Sequence, residues 1–526
     1  MADVPFIPSR KRLLSATTLS AATQMQPTGK ALPSLITGEF PDSSGQVAAA
    51  RNIKPLPTLI QQAASPRDME IARMCVKLPE KLNAKRTDAI ETARELATSF
   101  GPERKRRAES PPSDMPCQNL HYHLIHFLAK RLEFPDANVL RDLTQGIPIV
   151  GTAPPTAGLT PRVTPAETKY EIWKAGSPVR NKAAIERIRK THGTALANAC
   201  CEKSQAEFEA GWISPPIPLG DVTSDSISLT PRYALPEQHG NQVAKIRLIG
   251  DFKLSGINGL LITKDANIPG ALDAFLSYAT YLKLIEPGCN VQAVSVDYKH
   301  AYKNIAVDRD HTEFAHILIA PPTGPLMVSQ VHSLPLGPRR SPSNWPRITS
   351  FVKFVLDKIF RVSTSVYVDD CFVVEPCQTI ASALSPINAI NAAIQLALGH
   401  SKANTPNEKI ELLGSEIELG DERITACLPG RRRNALAHCV RHILQRNRLT
   451  PANAAKLRGR SGRPQTFMCA IFDRARLGPL TDRQYSTNTC HTLCESLKEV
   501  LPRWTTVLNE HIPSVAKYNP RDPLLI

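Results

Sequence analysis

The chain has 526 residues, with 64 Lys and Arg against 48 Asp and Glu, which gives a formal net charge of +16 at pH 7. This length is enough for two or three domains with sizeable cores, and the basic excess favours an anionic partner, either nucleic acid or a membrane surface. No stretch of about 18 uninterrupted apolar residues is present, so a transmembrane helix is not expected. The N-terminal sequence lacks the apolar core of a secretory signal. The 12 cysteines follow no disulfide-like framework, which is typical of a reducing intracellular compartment.

Residues 1–115 are rich in Pro, Ser, Ala and Thr, and we expect a mostly disordered extension that contains one helix over residues 87–100. The basic cluster at residues 104–107 is compatible with a nuclear import signal, a nucleic-acid contact or a solvated charge run. Residues 116–165 predict a small helical segment, followed by a linker at 151–165 that is rich in Pro and Gly. The histidines of the helical segment are expected on the polar face of a helix rather than in a zinc site, because no CxxC partner lies nearby.

Residues 166–430 alternate between helical and strand-like patterns and are expected to form the largest ordered part of the chain. Residues 181–210 predict a long helical stretch. Residues 243–252 predict a half-buried strand whose exposed face is basic, because Lys245 and Arg247 alternate with apolar residues.

Residues 291–296 predict a short apolar strand that ends at Asp297. A carboxylate on the last residue of a buried strand lies at the edge of the sheet, where the active-site groups of α/β proteins collect. An aspartate that caps the start of a helix is the alternative. The loop at residues 334–347 is rich in Pro and Gly and leads into an amphipathic helix.

Residues 363–374, STSVYVDDCFVV, predict a tight hairpin in which Asp369 and Asp370 separate two β-prone runs. Two adjacent carboxylates at a hairpin tip repel each other when they are desolvated. A divalent cation is the simplest group that offsets this repulsion, and a solvated acidic turn is the alternative. An amphipathic helix over residues 387–398 and a strand over residues 412–417 follow.

From Arg431 onward the sequence is helical and basic. Between Arg431 and Arg483 there are 13 Lys or Arg and only 2 Asp or Glu, and this concentration favours contact with phosphates. Aromatic residues are scarce there, so base stacking is not indicated. Further on, Cys490, His491 and Cys494 are expected on a helix rather than in a zinc site.

In this order, these features resemble a reverse transcriptase of the retrotransposon type over about residues 116–485. Each motif is weak alone, and it is their common order and rough spacing that carry the resemblance. The motifs are, in chain order, KIRLIGD at 245–251, DYKHAY at 297–302, LPLG at 334–337, YVDD at 367–370, LGSEI at 413–417 and LRGR at 457–460. They are similar to the fingers motif, the first carboxylate motif, a loop that packs against the nucleotide, the YxDD signature, the primer-gripping element and the thumb of that family.

The resemblance implies an α+β right-hand polymerase fold. Fingers and a palm, with an antiparallel sheet plus helices, would span residues 166–430, a basic helical thumb residues 431–485, and a helical tail residues 486–526. The implied activity is that of an RNA-directed DNA polymerase, a nucleotidyltransferase of a retroelement, located inside the cell or in its nucleus. Its partners would be an RNA or DNA template-primer and dNTPs, without a membrane, and the sequence identifies no protein partner.

The resemblance also implies a two-metal site. Two Mg²⁺ ions, or Mn²⁺ in their place, would be held by Asp297 and Asp369, with Asp370 in a supporting role. Arg247, helped by Lys245, would hold the triphosphate, since a guanidinium suits phosphate.

Other residues carry implied roles around the nucleotide. Tyr302 would lie under the sugar and clash with a 2′-hydroxyl, which favours deoxynucleotides; a core aromatic is the alternative. Gly337 belongs to the loop against the nucleotide. Lys402 would be the general acid for pyrophosphate, and Lys409 competes for that role.

Departures from the family pattern leave two alternatives open. Leu336 replaces the usual Phe or Gln, and Pro338, Pro342 and Pro346 crowd the loop. A catalytically inactive, nucleic-acid-binding remnant is therefore the main alternative. An RNA-dependent RNA polymerase is a further one, which Tyr302 and the YVDD sequence disfavour. No RNase H, integrase or recombinase segment is recognised, so we expect another chain to supply those activities.

Overall fold

The computed structural model describes residues 65–100, 120–152, 160–191, 193–222, 227–239, 242–266, 271–399, 405–421, 423–462, 478–487, 490–510 and 514–517. All of these residues belong to one compact unit of mixed helices and strands. Within the described ranges, no helix combines the length and the apolar character that crossing a bilayer requires. The basic cluster at residues 104–107 and most of the predicted extension lie outside the described residues.

The elements follow one another along the chain without a separation into all-helical and all-strand halves. The helices are α1 Pro66–Lys77, α2 Pro79–Phe100, α3 Tyr122–Arg131, α4 Ala137–Gln145, α5 Tyr170–Ala175, α6 Ser177–Thr191, α7 Thr194–Glu209, α8 Ala271–Ile285, α9 Ser341–Val355, α10 Ile380–Ala393, α11 Gly430–Arg446, α12 Pro451–Gly462, α13 Gly478–Tyr485 and α14 Glu495–Glu510. The strands are β1 Gly151–Thr152, β2 Thr160–Thr164, β3 Ile217–Pro218, β4 Leu229–His239, β5 Gln242–Gly250, β6 Leu261–Ala266, β7 Val291–Tyr298, β8 His316–Ile319, β9 Met327–Gln330, β10 Thr364–Tyr367, β11 Asp370–Pro376, β12 Leu398–Gly399, β13 Lys409–Leu412, β14 Ser415–Leu419, β15 Arg423–Cys427 and β16 Ser514–Lys517.

One antiparallel sheet, in the order β10-β11-β7-β12, lies at the centre of the unit. Both of its faces are covered. Val294 and Val373 on one face join a core cluster that includes residues of α9 and α10, whereas Phe372 and Val374 on the other face pack with α8 and with the C-terminal helices. A strand that is buried on both faces has a nearly continuous apolar sequence. The sequences of β7 and β11 follow this pattern.

Three further sheets surround this centre. The order β3-β9-β8-β4-β5 forms a five-stranded sheet in which β4 and β8 are parallel, the order β13-β14-β15-β16 is antiparallel throughout, and β6 lies between β1 and β2. The predicted basic strand is confirmed as β5, which ends at Gly250 rather than at residue 252. Lys245 and Arg247 are exposed on it, while Ile246 and Leu248 are half-buried.

The single helix predicted over residues 87–100 begins earlier in the structure, as α2, and α1 precedes it. Ser65 caps α1 with a reciprocal capping box, and the side chains of Ile71 and Leu82 are fully buried. Arg86 on α2 forms an ion pair with Glu375 on β11, at 2.6 Å from Nη2 to Oε1, and both side chains are buried. A carboxylate is stable in the protein interior only when it is paired and hydrogen-bonded. The ion pair with Arg86 therefore stabilises the buried Glu375 and fixes α2 against the central sheet.

Other predicted boundaries also change. The linker expected at residues 151–165 contains β1 and β2, and the helical stretch at 181–210 is two helices, α6 and α7. The strand expected at 412–417 is a hairpin of β13 and β14, because Leu413 and Gly414 have positive φ and form its turn. Cys490, His491 and Cys494 precede α14 instead of lying on a helix. The helix at the histidine-containing segment is confirmed as α3.

Candidate active site

Three aspartates lie at one end of the central sheet. The register pairs Asp370 at the start of β11 with Asp297 on β7, and it pairs Tyr367 with Asp370 across the hairpin. Residues that are directly opposite each other on antiparallel strands project from the same face. The side chains of Asp297 and Asp370 are therefore neighbours, with Asp369 one residue away in the turn. All three are partly exposed.

The hairpin turn differs from the prediction by one residue. It consists of Val368 and Asp369, whereas the two aspartates were expected to form it. Val368 has φ of +54°, a conformation that β-branched residues rarely adopt. Strain of this kind costs about 1–3 kcal/mol and tends to be retained at functional sites. The turn thus fixes Asp369 at the tip and leaves Asp370 inside the strand.

Two carboxylates, those of Asp297 and Asp370, face each other at this end of the sheet. Like charges directly opposite each other on a sheet are destabilising, and carboxylate oxygens are the ligands that Mg²⁺ prefers. The residues present therefore fit a divalent cation in chemical type. Among the described residues, no group of three or more His, Cys, Asp or Glu side chains is gathered closely enough to hold a metal ion.

A glycine that the sequence did not single out lies beside Asp297. Gly399 on β12 is the backbone partner of Asp297, and a Cβ atom on it would lie 3.6 Å from the Oδ2 atom of that aspartate. The absence of a side chain keeps this flank of the carboxylate uncovered. Lys402, which was predicted as a general acid, lies outside the described residues. Its competitor Lys409 is on β13 and forms an ion pair with Glu416 at 2.9 Å.

Tyr302 lies in the same neighbourhood as the hairpin tip. It belongs to a short 3₁₀ helix, Ala301–Asn304, which follows β7 directly. Burial, and after it the negative charge of Asp369, raise the pKa of the Tyr302 phenol to about 12, while the charge of Arg247 opposes the shift. The structure therefore brings together three predicted site residues that are far apart in the sequence.

The basic residues of β5 act electrostatically on this neighbourhood. Burial and then the charges of Lys299 and Lys245 lower the pKa of His300, so Lys245 is close to the segment that follows Asp297. Arg247 forms an ion pair with Glu237 at 2.6 Å, and both side chains are more than 40% exposed. An exposed pair of this kind contributes roughly 0–1 kcal/mol, so an anionic ligand can compete for Arg247.

Gly337 holds the loop of residues 334–337 against the end of β5. Its φ is +129°, and a Cβ atom on it would lie 2.1 Å from the carbonyl oxygen of Gly250, so only glycine fits. The amide of Gly250 donates to the carbonyl of Leu336 at 3.0 Å. Asn258 donates to the Gly337 carbonyl at 3.2 Å and accepts from the Arg339 amide at 2.7 Å. These contacts attach the loop to the strand that carries Arg247.

The basic segment is helical in α11, α12 and α13, and its residues 463–477 lie outside the described residues. Thr450 caps α12, since its hydroxyl accepts from the Asn453 amide at 3.2 Å. Helix α11 buries Leu436 and Val440 and leaves its charged face in solvent. The exposed basic residues of α11, α12 and their connection are Arg431, Arg432, Arg441, Arg446, Arg448, Lys456 and Arg460.

Two residues that shape this site were not predicted from the sequence. Val368 reads as part of a β-prone run, and its positive φ follows only from the register of β10 with β11. Gly399 lies beside Asp297 because β12 pairs with β7, a pairing between segments about a hundred residues apart. A glycine after an apolar run was the only local hint.

Comparisons with known proteins give a partial likeness at the level of structure. No family model matches the chain, and no curated protein matches its sequence. Among solved structures, the chain is similar to a foamy viral protease-reverse transcriptase in complex with double-stranded DNA, at 14% identity and a TM-score of 0.42. The match covers 75% of this chain, which spans 61% of the length of the viral one. Because the TM-score is below 0.5, we base the functional proposal on the geometry of the chain itself.

Proposed function

We propose that the chain is a template-directed DNA polymerase that extends a primer on an RNA or DNA template, with dNTPs as substrates. The observation that carries the proposal is the pairing of Asp297 with Asp370 at the end of the central sheet, with Asp369 in the adjoining turn. Clustered carboxylates on neighbouring strands are the residue type that two-metal phosphoryl transfer requires. The motif order in the sequence supports the same assignment.

Asp297 and Asp369 would hold the divalent ions, with Asp370 as the neighbour that completes the charge of the site. Mg²⁺ or Mn²⁺, when bound, would neutralise the developing charge and favour attack by the primer 3′-hydroxyl on the α-phosphate. Gly399 would place no side chain against the Oδ2 atom of Asp297. The left-handed turn at Val368 holds Asp369 at the tip of the hairpin.

The other residues of the site would bind and orient the nucleotide. Arg247, with Lys245 beside it, would exchange its exposed partner Glu237 for the triphosphate, because a guanidinium binds phosphate oxygens in a bidentate manner. Tyr302 would lie against the sugar and disfavour a 2′-hydroxyl. Gly337 would contribute to nucleotide binding indirectly, because it keeps its loop against β5, and it would not contact the nucleotide itself. The basic faces of α11 and α12 would bind the phosphates of the template-primer.

A nucleic-acid-binding protein without polymerase activity is the second candidate. It is favoured by one observation, namely that no three-ligand metal group is formed among the described residues. The basic helices would explain salt-dependent binding by themselves. An RNA-dependent RNA polymerase differs from both in its preference for rNTPs.

A primer-extension assay separates these functions. The full chain is incubated with a primed RNA template, with dNTPs or rNTPs, and with Mg²⁺ or EDTA. The proposal predicts extension with dNTPs and Mg²⁺, little extension with rNTPs, and none with EDTA. Template binding without extension under all conditions would establish the second candidate, and a preference for rNTPs would establish an RNA polymerase.

A further inference from the structure

The turn that carries Tyr302 is held from one side by a buried ion pair. Lys303, the next residue, has a side chain that is only 13% exposed, and its Nζ atom lies 3.0 Å from the Oε1 atom of Glu207 on α7. The same ammonium lies 5.7 Å from the centre of the Trp212 ring, within the range of a cation–π contact. Lys303 therefore points into the protein between a carboxylate and an indole.

Glu207 connects this turn to the five-stranded sheet. Its other carboxylate oxygen accepts a hydrogen bond from Arg232 on β4, and Arg232 also donates to the hydroxyl of Ser204 at 3.1 Å. One carboxylate thus joins α7, β4 and the turn after β7. Removing one partner of a buried pair leaves an uncompensated charge, which is destabilising. The turn is consequently anchored to α7 and β4 through Lys303, in addition to its own hydrogen bonds.

Hydrogen bonds within the turn couple the position of Tyr302 to that of Lys303. The Lys303 amide donates to the carbonyl of His300 at 2.7 Å, and the Asn304 side chain donates to the carbonyls of Lys299 and Ala301 at 3.0 and 3.1 Å. These bonds make residues 299–304 one rigid turn. With Lys303 fixed towards Glu207, Tyr302 is directed to the side where the charges of Asp369 and Arg247 act on its phenol.

We propose that Lys303 and Glu207 are positioning residues for Tyr302, and that their ion pair sets how strongly the site selects deoxynucleotides over ribonucleotides. The first half concerns the placement of the ring and stands on the contacts described above. The second half rests on the polymerase function proposed for the chain. A ring held close to the sugar rejects a 2′-hydroxyl by steric contact, whereas a ring free to move accommodates it. Loss of the anchor should therefore relax selectivity before it abolishes nucleotide incorporation.

The placement of the ring is tested without any measurement of activity. The probe is 3-fluorotyrosine incorporated at position 302, observed by ¹⁹F NMR in H₂O and in D₂O, because the solvent isotope shift reports the exposure of the ring. Lys303→Met and Glu207→Gln are expected to increase that isotope shift, and Lys303→Arg, which keeps the charge, to restore most of it. Glu209→Gln, an exposed position on the same helix, is the matched control. An isotope shift unchanged in Lys303→Met and Glu207→Gln would overturn the positioning role.

The selectivity is tested by comparing kcat/KM for a dNTP with that for the corresponding rNTP on a primed template. Lys303→Met and Glu207→Gln are expected to reduce the ratio about tenfold, as expected for a small misplacement of a positioning group. In a Tyr302→Val background the same substitutions should have no further effect, because groups that act through one residue are not additive. Unchanged ratios, or fully additive losses, would overturn the role in selectivity. Absence of incorporation by the unsubstituted chain would overturn the polymerase proposal and the selectivity half together, whereas the fluorine measurement still decides the placement of Tyr302.

Discussion

Asp297 and Asp370 are backbone partners on β7 and β11, so two carboxylates project from the same face of the central sheet. Like charges that face each other across a sheet repel, and a bound cation offsets that repulsion. We predict that Asp297→Asn increases the stability of the chain in EDTA, by up to roughly 1 kcal/mol, since one of the two facing charges is removed. We also predict that Mn²⁺ raises the Tm of the unsubstituted chain, as any ligand of the native state does.

The two effects are measured by thermal unfolding with and without Mn²⁺. Asp297→Asn should lose most of the Mn²⁺-dependent increase in Tm, whereas Asp88→Asn, at an exposed position on α2, should keep it. Equal increases in all three proteins would mean that the cation binds elsewhere.

The ion pair of Arg86 with Glu375 joins an N-terminal helix to the central sheet. Arg86 also donates to the carbonyl of Arg361 at 2.7 Å and to the hydroxyl of Ser382 at 2.9 Å. We predict that Arg86→Met lowers the free energy of unfolding by about 3–5 kcal/mol, because Glu375 is left buried without a partner. The double substitution with Glu375→Met should recover most of the loss. Urea unfolding measures both, and a single variant within 1 kcal/mol of the unsubstituted chain would contradict the structural role of α2.

Gly337 and Gly459 should respond to alanine in opposite directions. At Gly337 the Cβ atom would overlap the Gly250 carbonyl at a φ of +129°, whereas nothing lies within 4 Å of one at Gly459 in α12. We predict that Gly337→Ala destabilises the chain and reduces nucleotide incorporation, because the loop can no longer dock on β5. Gly459→Ala should be neutral or stabilising by roughly 0.5–1 kcal/mol. A Gly337→Ala variant with the stability and activity of the unsubstituted chain would show that the loop docks differently.

The basic face of α11 should determine how salt affects template binding. Each phosphate contact contributes about 0.9 to the slope of log K against log salt concentration for a duplex. Arg431→Gln and Arg441→Gln are therefore each expected to reduce the slope by about one, while Arg503→Gln, which pairs with Glu499 on α14, should leave it unchanged. Fluorescence anisotropy at several salt concentrations gives these slopes. Equal slopes in all variants would exclude α11 from the nucleic-acid interface.

The local patterns of the sequence predicted the parts of the fold that depend on neighbouring residues. Alternation of charge and apolar residues predicted β5, apolar runs predicted β7 and the hairpin, and Thr450 with Pro451 predicted the start of α12. The same local patterns failed where the structure of a segment depends on a residue that is far away in the sequence. Helices α1 and α2 have weakly apolar sequences, and Arg86 is buried only because Glu375, 289 residues away, neutralises it.

The candidate site shows the same division. The positions of Asp297, Asp369 and Asp370 at a sheet end follow from strand lengths and a turn signal. The one-residue shift of the turn follows from the pairing of Tyr367 with Asp370, which the apolar pattern does not determine because Val368 suits a strand equally well. The ion pair of Lys303 with Glu207 belongs to a contact between α7, β4 and the turn after β7. No periodicity in the sequences of these elements indicates that contact.

Single-turnover extension of a primed RNA by a dNTP in Mg²⁺, compared between the unsubstituted chain and Asp369→Asn, is the most direct measurement of the proposed activity. Because a metal-bound carboxylate site provides several kcal/mol of charge stabilisation, we predict extension by the unsubstituted chain and a loss on the order of 10³-fold in the variant, with template affinity retained. Equal rates in the two proteins, or no extension in either, would contradict the assignment of Asp369 to the chemistry.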